Sequence, residues 1–583
     1  MYSLPLRVLN IVLLWSIISC TNGNMKPDAL TGTVVLQDSL PPRPDWPDEN
    51  TLVVLLSDEP AGLHPVFGSD NYRAEIFHYL HQPLFRILDG GRREPVLLKH
   101  LPKVSGDGTT YTCELKEGLR WDDGTPVTAA DVLFTFKVNR CETVNSQLRG
   151  YWKRIVRADT DPEHPLVFNF TTDSKNPETI DFLSDFPVLE RDFHDALHRL
   201  DGISFAELSD SSSLTDPLLA EWISGFNSDE NGRLPEKLNG LGKYRITTWK
   251  SREEIVLTRK KTAGDQGPEK IIYRFGNDET GIIRELKRQS YDVACYLSTG
   301  GFLSAASESS VRENYHCVLL PTYGYTFVAF NRRTDKQSLL KDPKLRKAIS
   351  QLIPCEKIAG NLYGSYSAFL PRMGSAVSRL KSECDTTVLS PVFNPSSALK
   401  ALEAAGWIDS DRDGVPEKGG RALTLRLVYR NTSYDWKVIA DLISEGLGRA
   451  GIVTELQPAD NKTFSEKAAD GDFDLLLGSM SGTSAMEDFT TCWSTASIGK
   501  GGKNYPGFGD AATDALIDSI NVCYDRQERI TLSRRMQRMI HDDYPCVFLY
   551  GTVRRNIVHK RWKNIVLLPG RPGIRLDEMQ LRK

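Results

Sequence analysis

The sequence lacks several features that would place it in large functional classes. Its 72 Lys and Arg residues balance 76 Asp and Glu residues, so no excess charge is available to attract nucleic acid or an acidic membrane surface. Beyond the N-terminus, no apolar run is long enough to cross a bilayer. The ten cysteines contain no C-x-x-C pair and no metal framework. The signatures G-x-S-x-G, H-E-x-x-H and G-x-x-x-x-G-K are also missing, so an exported hydrolase is the weaker hypothesis and we expect neither catalysis nor a cofactor.

The N-terminus has the pattern of an export signal. Arg7 precedes a mostly apolar run at 8–18, which is too short to span a bilayer and suits the apolar core of a signal peptide. The run ends in Ile18, Ser19 and Cys20, which resembles the lipobox of bacterial lipoproteins, where Cys20 becomes the acylated first residue. Ile18 stands where a small residue is more usual, so a plain signal peptide is the alternative. We therefore expect export to the periplasm or cell surface, with a lipid on Cys20 as the only membrane attachment.

The body of the chain has the patterns of a mixed α/β protein. At 583 residues it is long enough for two or three domains. A β-branched and leucine run at 51–56 predicts a buried strand, and Asn394 with Pro395 predicts the start of a helix that ends before Gly406. A strand, a helix and a second strand, which together predict a βαβ unit with parallel strands, are expected at 423–427, 436–447 and 452–456.

One stretch carries a long ordered set of residues that matches a known family. The set is Leu98, Leu101, Asp107, Gly108, Tyr111, Cys113, Leu115, Gly118, Leu119, Trp121, Asp123, Gly124, Thr125, Pro126, Val127, Thr128, Ala129, Asp131, Val132, Phe134 and Phe136. It resembles the signature of extracellular solute-binding proteins of family 5, the dipeptide-, oligopeptide- and nickel-binding proteins of ABC transporters. Shorter blocks in the family's order continue the resemblance to about Tyr550, at Gly242-Lys243-Tyr244, Phe330-Asn331, Gly451-Ile452-Val453 and Gly471-Asp472-Phe473-Asp474.

The resemblance implies an α/β, two-lobed periplasmic-binding-protein-like fold of the type II, three-domain peptide-binding subclass, with a hinge and a ligand cleft between the lobes. The implied segments are a signal peptide at 1–19, a lipid-anchored spacer at 20–48, lobe I at 49–86, an inserted small domain at 87–222, more of lobe I at 223–322, lobe II at 323–550, and a return to lobe I at 551–583. A short peptide is the implied ligand, and the protein is implied to deliver it as a monomer to ABC permease subunits. A nickel chelate or an oligosaccharide as solute, and a surface receptor that works without a permease, are the alternatives.

The resemblance also implies which residues contact the ligand. In peptide-binding relatives an acidic residue, commonly in an Asp-Pro pair, binds the ligand's α-ammonium, but this sequence has Ala485-Met486 at that place. Glu487 and Asp488 are the displaced candidates, and ordinary loop charges are the alternative. The other implied cleft residues are Ser57, Glu59, Tyr323, Tyr325, Arg372 and Met480. For the two tyrosines core packing beneath the hinge is equally open, and for Ser57, Glu59 and Arg372 a solvated loop is the alternative.

An acidic loop has part of the pattern of a calcium site. Asp409, Asp411 and Asp413, followed by Gly414, have the spacing of the first half of a calcium-binding loop. The twelfth position is Gly420 instead of Glu, so the closing acid is missing. A hydrophilic hairpin is the alternative, and we expect no required metal.

Overall fold

A computed structural model describes residues 25–27, 33–36, 46, 49–68, 71–88, 91–146, 149–175, 180–184, 186–261, 266–333, 338–499 and 501–582. The expected signal peptide at 1–19 and the expected lipid attachment point, Cys20, lie outside these residues. Within them, no helix combines the length and the apolar character needed to span a bilayer.

Strands and helices alternate along the described chain, as expected of an α/β protein. The strands are β1 Met25–Pro27, β2 Val34–Leu36, β3 Thr51–Leu56, β4 Phe85–Leu88, β5 Arg92–Pro95, β6 Lys103–Val104, β7 Thr110–Glu114, β8 Ile155–Thr160, β9 Val167–Thr172, β10 Tyr244–Lys250, β11 Glu254–Arg259, β12 Lys270–Phe275, β13 Val293–Ala294, β14 Tyr315–Phe330, β15 Glu417–Lys418, β16 Arg421–Ala422, β17 Thr424–Arg430, β18 Val453–Ala459, β19 Leu475–Met480, β20 Cys546–His559, β21 Trp562–Lys563, β22 Val566–Leu567 and β23 Gln580–Leu581. The helices are α1 Asn71–Leu80, α2 Ala129–Arg140, α3 Arg149–Trp152, α4 Arg191–His194, α5 Phe205–Leu208, α6 Pro217–Phe226, α7 Glu279–Lys287, α8 Thr299–Ser307, α9 Ser309–Asn314, α10 Pro343–Ser350, α11 Cys355–Tyr363, α12 Pro395–Ala404, α13 Tyr434–Gly448, α14 Asn461–Asp470, α15 Phe489–Trp493, α16 Ala511–Val522 and α17 Arg526–Asp543.

A ten-stranded sheet runs through both lobes. Its strand order is β10-β11-β12-β3-β13-β20-β14-β19-β17-β18. In lobe I, β3 lies between two parallel neighbours, β12 and β13, and in lobe II, β17 lies parallel to both β18 and β19. Helices cover both faces of each half and bury separate hydrophobic cores, as parallel strands require. The expected two-lobed α/β fold is confirmed.

The long strands β14 and β20 cross from one lobe to the other and form the hinge. They pair antiparallel from Tyr315 to Pro321 and again from Tyr325 onward, and their register breaks between these two stretches. On the lobe I side of this register break, β20 also pairs with β13. On the lobe II side, β14 also pairs with β19. A change in the angle between the lobes therefore requires only a few residues around Thr322 and Thr552 to change their backbone angles.

The local sequence signals account well for the lobes. Strand β3 spans the predicted residues, and the predicted βαβ unit is present as β17, α13 and β18, with parallel strands. Helix α12 begins at Pro395, because the Asn394 side chain accepts a hydrogen bond from the Ser397 amide. In the inserted domain, whose sheet has the order β6-β7-β9-β8, α2 begins with a capping box between Thr128 and Asp131.

The segment expected to be a spacer is partly built into the body. Strand β2 pairs antiparallel with β22 near the C-terminus, and its Val34 and Leu36 side chains are buried in the core of lobe I. Farther along, the Trp46 indole Nε1 donates to Asn314 Oδ1 at 3.0 Å. The spacer interpretation of 20–48 is therefore corrected at these residues, because Val34 and Leu36 are buried on one face of β2 and Trp46 bonds to the body.

Gly324 is a position in the hinge where a side chain does not fit. A Cβ atom there would lie 2.6 Å from both the Met480 carbonyl oxygen and the Thr552 hydroxyl oxygen. We expect Gly324→Ala to lower the free energy of unfolding by about 1 to 3 kcal/mol, because the backbone of neighbouring strands must move. Gly360→Ala, in α11 where a Cβ meets no atom within 4 Å, is the matched control and should be neutral or stabilising. Equal urea midpoints for the two variants would contradict the expectation.

Candidate functional site

The candidate site lies where lobe II and the inserted domain meet, beside the hinge. The Ser484 hydroxyl, in the loop after β19, donates to the Ile87 carbonyl of the inserted domain at 3.0 Å. The Tyr524 hydroxyl of lobe II donates to the Gly108 carbonyl at 3.0 Å and lies 3.5 Å from the Tyr111 hydroxyl. These contacts join the two sides across the cleft. Lobe II and the inserted domain are therefore in direct contact in this structure.

On the lobe I side, Ser57 and Glu59 follow β3 and are held by neighbouring loops. The Ser57 hydroxyl donates to the Tyr296 carbonyl at 3.1 Å. Glu59 accepts hydrogen bonds from Trp249 Nε1 at 2.6 Å, the Ser251 hydroxyl at 3.0 Å and the Arg252 amide at 3.1 Å. Burial opposes ionisation, but these donors outweigh it and lower the pKa of Glu59. Glu59 is thus an ionised carboxylate whose hydrogen bonds are made within lobe I.

A partly buried ionic network beside the hinge was not predicted from the sequence. Glu75 Oε1 accepts from Arg554 Nη1 and from the Tyr296 hydroxyl, each at 2.9 Å. Burial alone would lower the pKa of Arg554, but the Glu75 carboxylate raises it instead. Burial and the same carboxylate raise the pKa of Tyr296. The network links α1, the segment after β13 and the hinge strand β20. Glu75 is 479 residues from Arg554 and 221 residues from Tyr296, so no local sequence pattern indicates the network.

Tyr323 and Tyr325 are buried at the hinge. The Tyr323 side chain is among the large side chains that are almost fully buried. Tyr325 lies in the core of lobe II, with its ring 5.3 Å from that of Phe548, and burial raises its pKa well above the usual range. In this structure both rings pack against protein, as the core-packing alternative describes. Their contact with a ligand stays a prediction.

The loop at 481–488 contains the acidic candidates and follows Met480. Met480 ends β19, pairs with Tyr325 of β14 and packs against the core of lobe II. The Glu487 carboxylate accepts from Lys381 Nζ at 2.7 Å, and both side chains are largely buried. Asp488 caps α15, because its carboxylate accepts from the Thr490 amide at 2.8 Å and the Thr491 hydroxyl at 2.9 Å. The loop therefore brings Met480, Glu487 and Asp488 together with Lys381, which sequence reasoning did not identify.

Arg372 is exposed, unlike the residues of this buried cluster. It forms an ion pair with Glu356, and the two side chains are 67% and 79% exposed. Such exposed pairs contribute between zero and about 1 kcal/mol, so Arg372 can exchange its partner at little cost. A role in binding a ligand carboxylate stays a prediction.

The acidic loop of lobe II is exposed. The carboxylate oxygens of Asp409, Asp411 and Asp413 lie within 4.8 Å of one another. Asp409 and Asp413 accept hydrogen bonds from the Gly414 and Val415 amides, which hold the turn. The Ser410 amide and hydroxyl donate to the Glu417 carboxylate, and an antiparallel bridge between Ile408 and Glu417 closes the loop as a hairpin. The three oxygens are chemically suited to a hard cation, and the hairpin interpretation accounts for the same contacts.

Two lobes on one sheet, joined by a pair of long antiparallel strands, are the architecture of a two-lobed solute-binding protein. The family model of bacterial extracellular solute-binding proteins, family 5 (Middle), matches residues 93–501. The chain therefore belongs to this family, as the resemblance indicated.

Individual relatives are distant but extend over most of the chain. An oligopeptide-binding protein, AppA of Bacillus subtilis, is 22% identical over 86% of this chain and 86% of its own length. Its solved structure in complex with a nonapeptide has a TM-score of 0.69 and 20% identity, and covers 91% of this chain and 99% of that one. NikZ of Campylobacter jejuni, solved with Ni(L-His), has a TM-score of 0.69 and 18% identity, and covers 92% of this chain and 100% of that one. At such low identity the structures show a shared fold.

Proposed function

We propose that the protein is an extracytoplasmic solute-binding lipoprotein of an ABC importer, which captures a short peptide by hinge closure and delivers it to a permease. The observation that carries the proposal is the pair of strands β14 and β20, which cross both lobes and break register between Pro321 and Tyr325. A ligand that contacts both lobes binds the closed form more tightly than the open form. Ligand binding therefore shifts the population toward the closed form, which a permease can recognise.

Peptide is the proposed solute because the related AppA is an oligopeptide-binding protein and its structure holds a nonapeptide. The role is binding and not catalysis, and the protein acts as a monomer. Ser57, Glu59, Tyr323, Tyr325, Arg372, Met480, Glu487 and Asp488 are the proposed lining of the site. Export and acylation of Cys20 would attach the protein to the membrane and leave the two lobes free to open and close.

The ligand assignment is tested by native mass spectrometry of protein purified without denaturation. We expect a co-purifying peptide, and we expect a mixed peptide pool to raise the melting temperature, because a ligand that binds only the folded state stabilises it. A nickel chelate or an oligosaccharide recovered in place of peptide would move the protein to another solute class. Peptide binding without any effect of gene deletion on peptide uptake would favour a permease-independent receptor.

A further inference from the structure

The loop at 481–488 lies at the interface between lobe II and the inserted domain. Ser484 bonds to Ile87 of the inserted domain, and a Cβ added to Gly91 of that domain would meet the Ser484 carbonyl oxygen at 3.6 Å. Burial and the nearby Asp488 carboxylate raise the pKa of Tyr151, which also belongs to the inserted domain. The loop that carries Glu487 and Asp488 therefore borders the inserted domain, and Asp488 lies near Tyr151 of that domain.

Each acidic side chain implied to line the cleft already has protein donors. Glu487 is paired with Lys381 Nζ at 2.7 Å, with the two side chains only 15% and 4% exposed. The Asp488 carboxylate accepts hydrogen bonds from the first turn of α15. Glu59 accepts three hydrogen bonds within lobe I. Among the described residues proposed for the site, no carboxylate is thus left for a cationic group of a ligand.

Exchange of Lys381 for a ligand ammonium brings no net gain in charge pairing. A ligand that took over Glu487 would leave the buried Lys381 without its carboxylate, and a buried charge without its counter-charge is strongly destabilising. The positive charge of Lys381, 2.7 Å from the same carboxylate, also repels an approaching ammonium group. Displacement of Asp488 from its capping bonds would cost stability of α15 as well.

We infer that the cleft binds its peptide through main-chain and side-chain contacts and does not recognise the charge of the α-ammonium group. Its ligand class then includes peptides with a blocked N-terminus. Peptides that extend past the N-terminal end of the bound segment belong to the same class. The inference rests on the proposed function, and it specifies the peptides for that site.

Competition between matched peptides tests the inference on the purified full-length mature protein. A pool of synthetic nonapeptides is offered as equal amounts of free and N-acetylated forms, distinguished by an isotope label, and the bound fraction is read by mass spectrometry. We expect the two forms to be retained within about threefold of one another. Retention of free peptides more than about tenfold over acetylated ones, lost in Glu487→Gln, would overturn the inference and assign the ammonium to Glu487.

A gain-of-function variant makes the test sharper. Lys381→Met removes the internal partner of Glu487, so the variant should prefer free over acetylated peptides by about tenfold or more. If the Lys381→Met protein does not fold, the experiment uses Lys381→Gln, whose side chain keeps a hydrogen-bond donor but carries no charge. An unchanged ratio in a folded variant would count against the inference. Binding of neither peptide form by the wild-type protein would overturn the proposed function itself, and the inference with it.

Discussion

Replacement of Arg561 by methionine is expected to lower the free energy of unfolding by about 3 to 5 kcal/mol. Arg561 donates through Nε and Nη2 to the two oxygens of Asp292, at 2.6 and 2.8 Å, and both residues are almost fully buried. The same guanidinium donates to the Glu49 and Thr51 carbonyls, at the start of β3. The variant leaves the buried Asp292 carboxylate without its counter-charge and the Glu49 and Thr51 carbonyls without these donors. Each loss lowers the free energy of unfolding, because unpaired charges and unsatisfied polar groups are unfavourable in a low-dielectric interior.

Urea unfolding of three variants separates the ion pair from its surroundings. Asp441→Ala breaks the pair between Lys437 and Asp441, whose side chains are 57% and 46% exposed, and should cost no more than about 1 kcal/mol. The double variant Asp292→Leu/Arg561→Met replaces both charges by apolar groups and should lose less than Arg561→Met alone. An Arg561→Met protein as stable as Asp441→Ala would contradict the account of the buried pair.

The part of the fold that the sequence predicts is the part set by neighbouring residues. The Asn394 cap and the alternating leucines of β17 act within a few residues, and they place α12 and the βαβ unit correctly. The pairing of β2 with β22 joins residues at opposite ends of the chain, and no periodicity in either segment indicates it. The same limitation applies to Arg561 and Asp292, which are 269 residues apart.

The candidate site was harder to predict than the fold, because its charges interact over long sequence distances. A buried carboxylate at Glu487 needs a cationic partner, and the sequence offered no reason to choose Lys381, 106 residues earlier. Tyr325 illustrates a second limit, since almost all residues in its half of β14 are buried. A strand covered on both faces shows no alternation that would distinguish a cleft-facing tyrosine from a core tyrosine.

Glu190 is expected to make the stability of the protein depend on pH. This residue of the inserted domain is 4% exposed, and the side-chain amide of Asn239, outside that domain, donates to Glu190 Oε2. The Thr125 hydroxyl lies 2.6 Å from Asp123 Oδ1 and 3.2 Å from Glu190 Oε1. A hydroxyl has one hydrogen, and the shorter contact assigns it to Asp123. A proton on Glu190 Oε1 therefore completes the second hydrogen bond.

Burial, followed by the charge of Asp123, raises the pKa of Glu190 from 4.5 to about 7. Between these values the folded protein holds a proton that the unfolded chain has released, so stability falls as pH rises through this window. Above pH 7 both states are ionised and the dependence ends. The shift corresponds to about 3 kcal/mol of lost stability at pH 8 relative to pH 4 from this group alone.

Glu190→Gln keeps the shape of the protonated side chain and cannot ionise, so it should remove this part of the pH dependence. We expect urea unfolding of wild type and variant to diverge between pH 5 and pH 8, with the glutamine protein the more stable at pH 8. Subtracting the free energy of unfolding of the variant from that of the wild type at each pH cancels the contributions of the other titrating groups. Glu445→Gln is the matched control, because Lys357 and Arg449 lower the pKa of the exposed Glu445 and give its dependence the opposite sign. A difference between wild type and Glu190→Gln that stays constant with pH would show that Glu190 is already ionised in the folded protein.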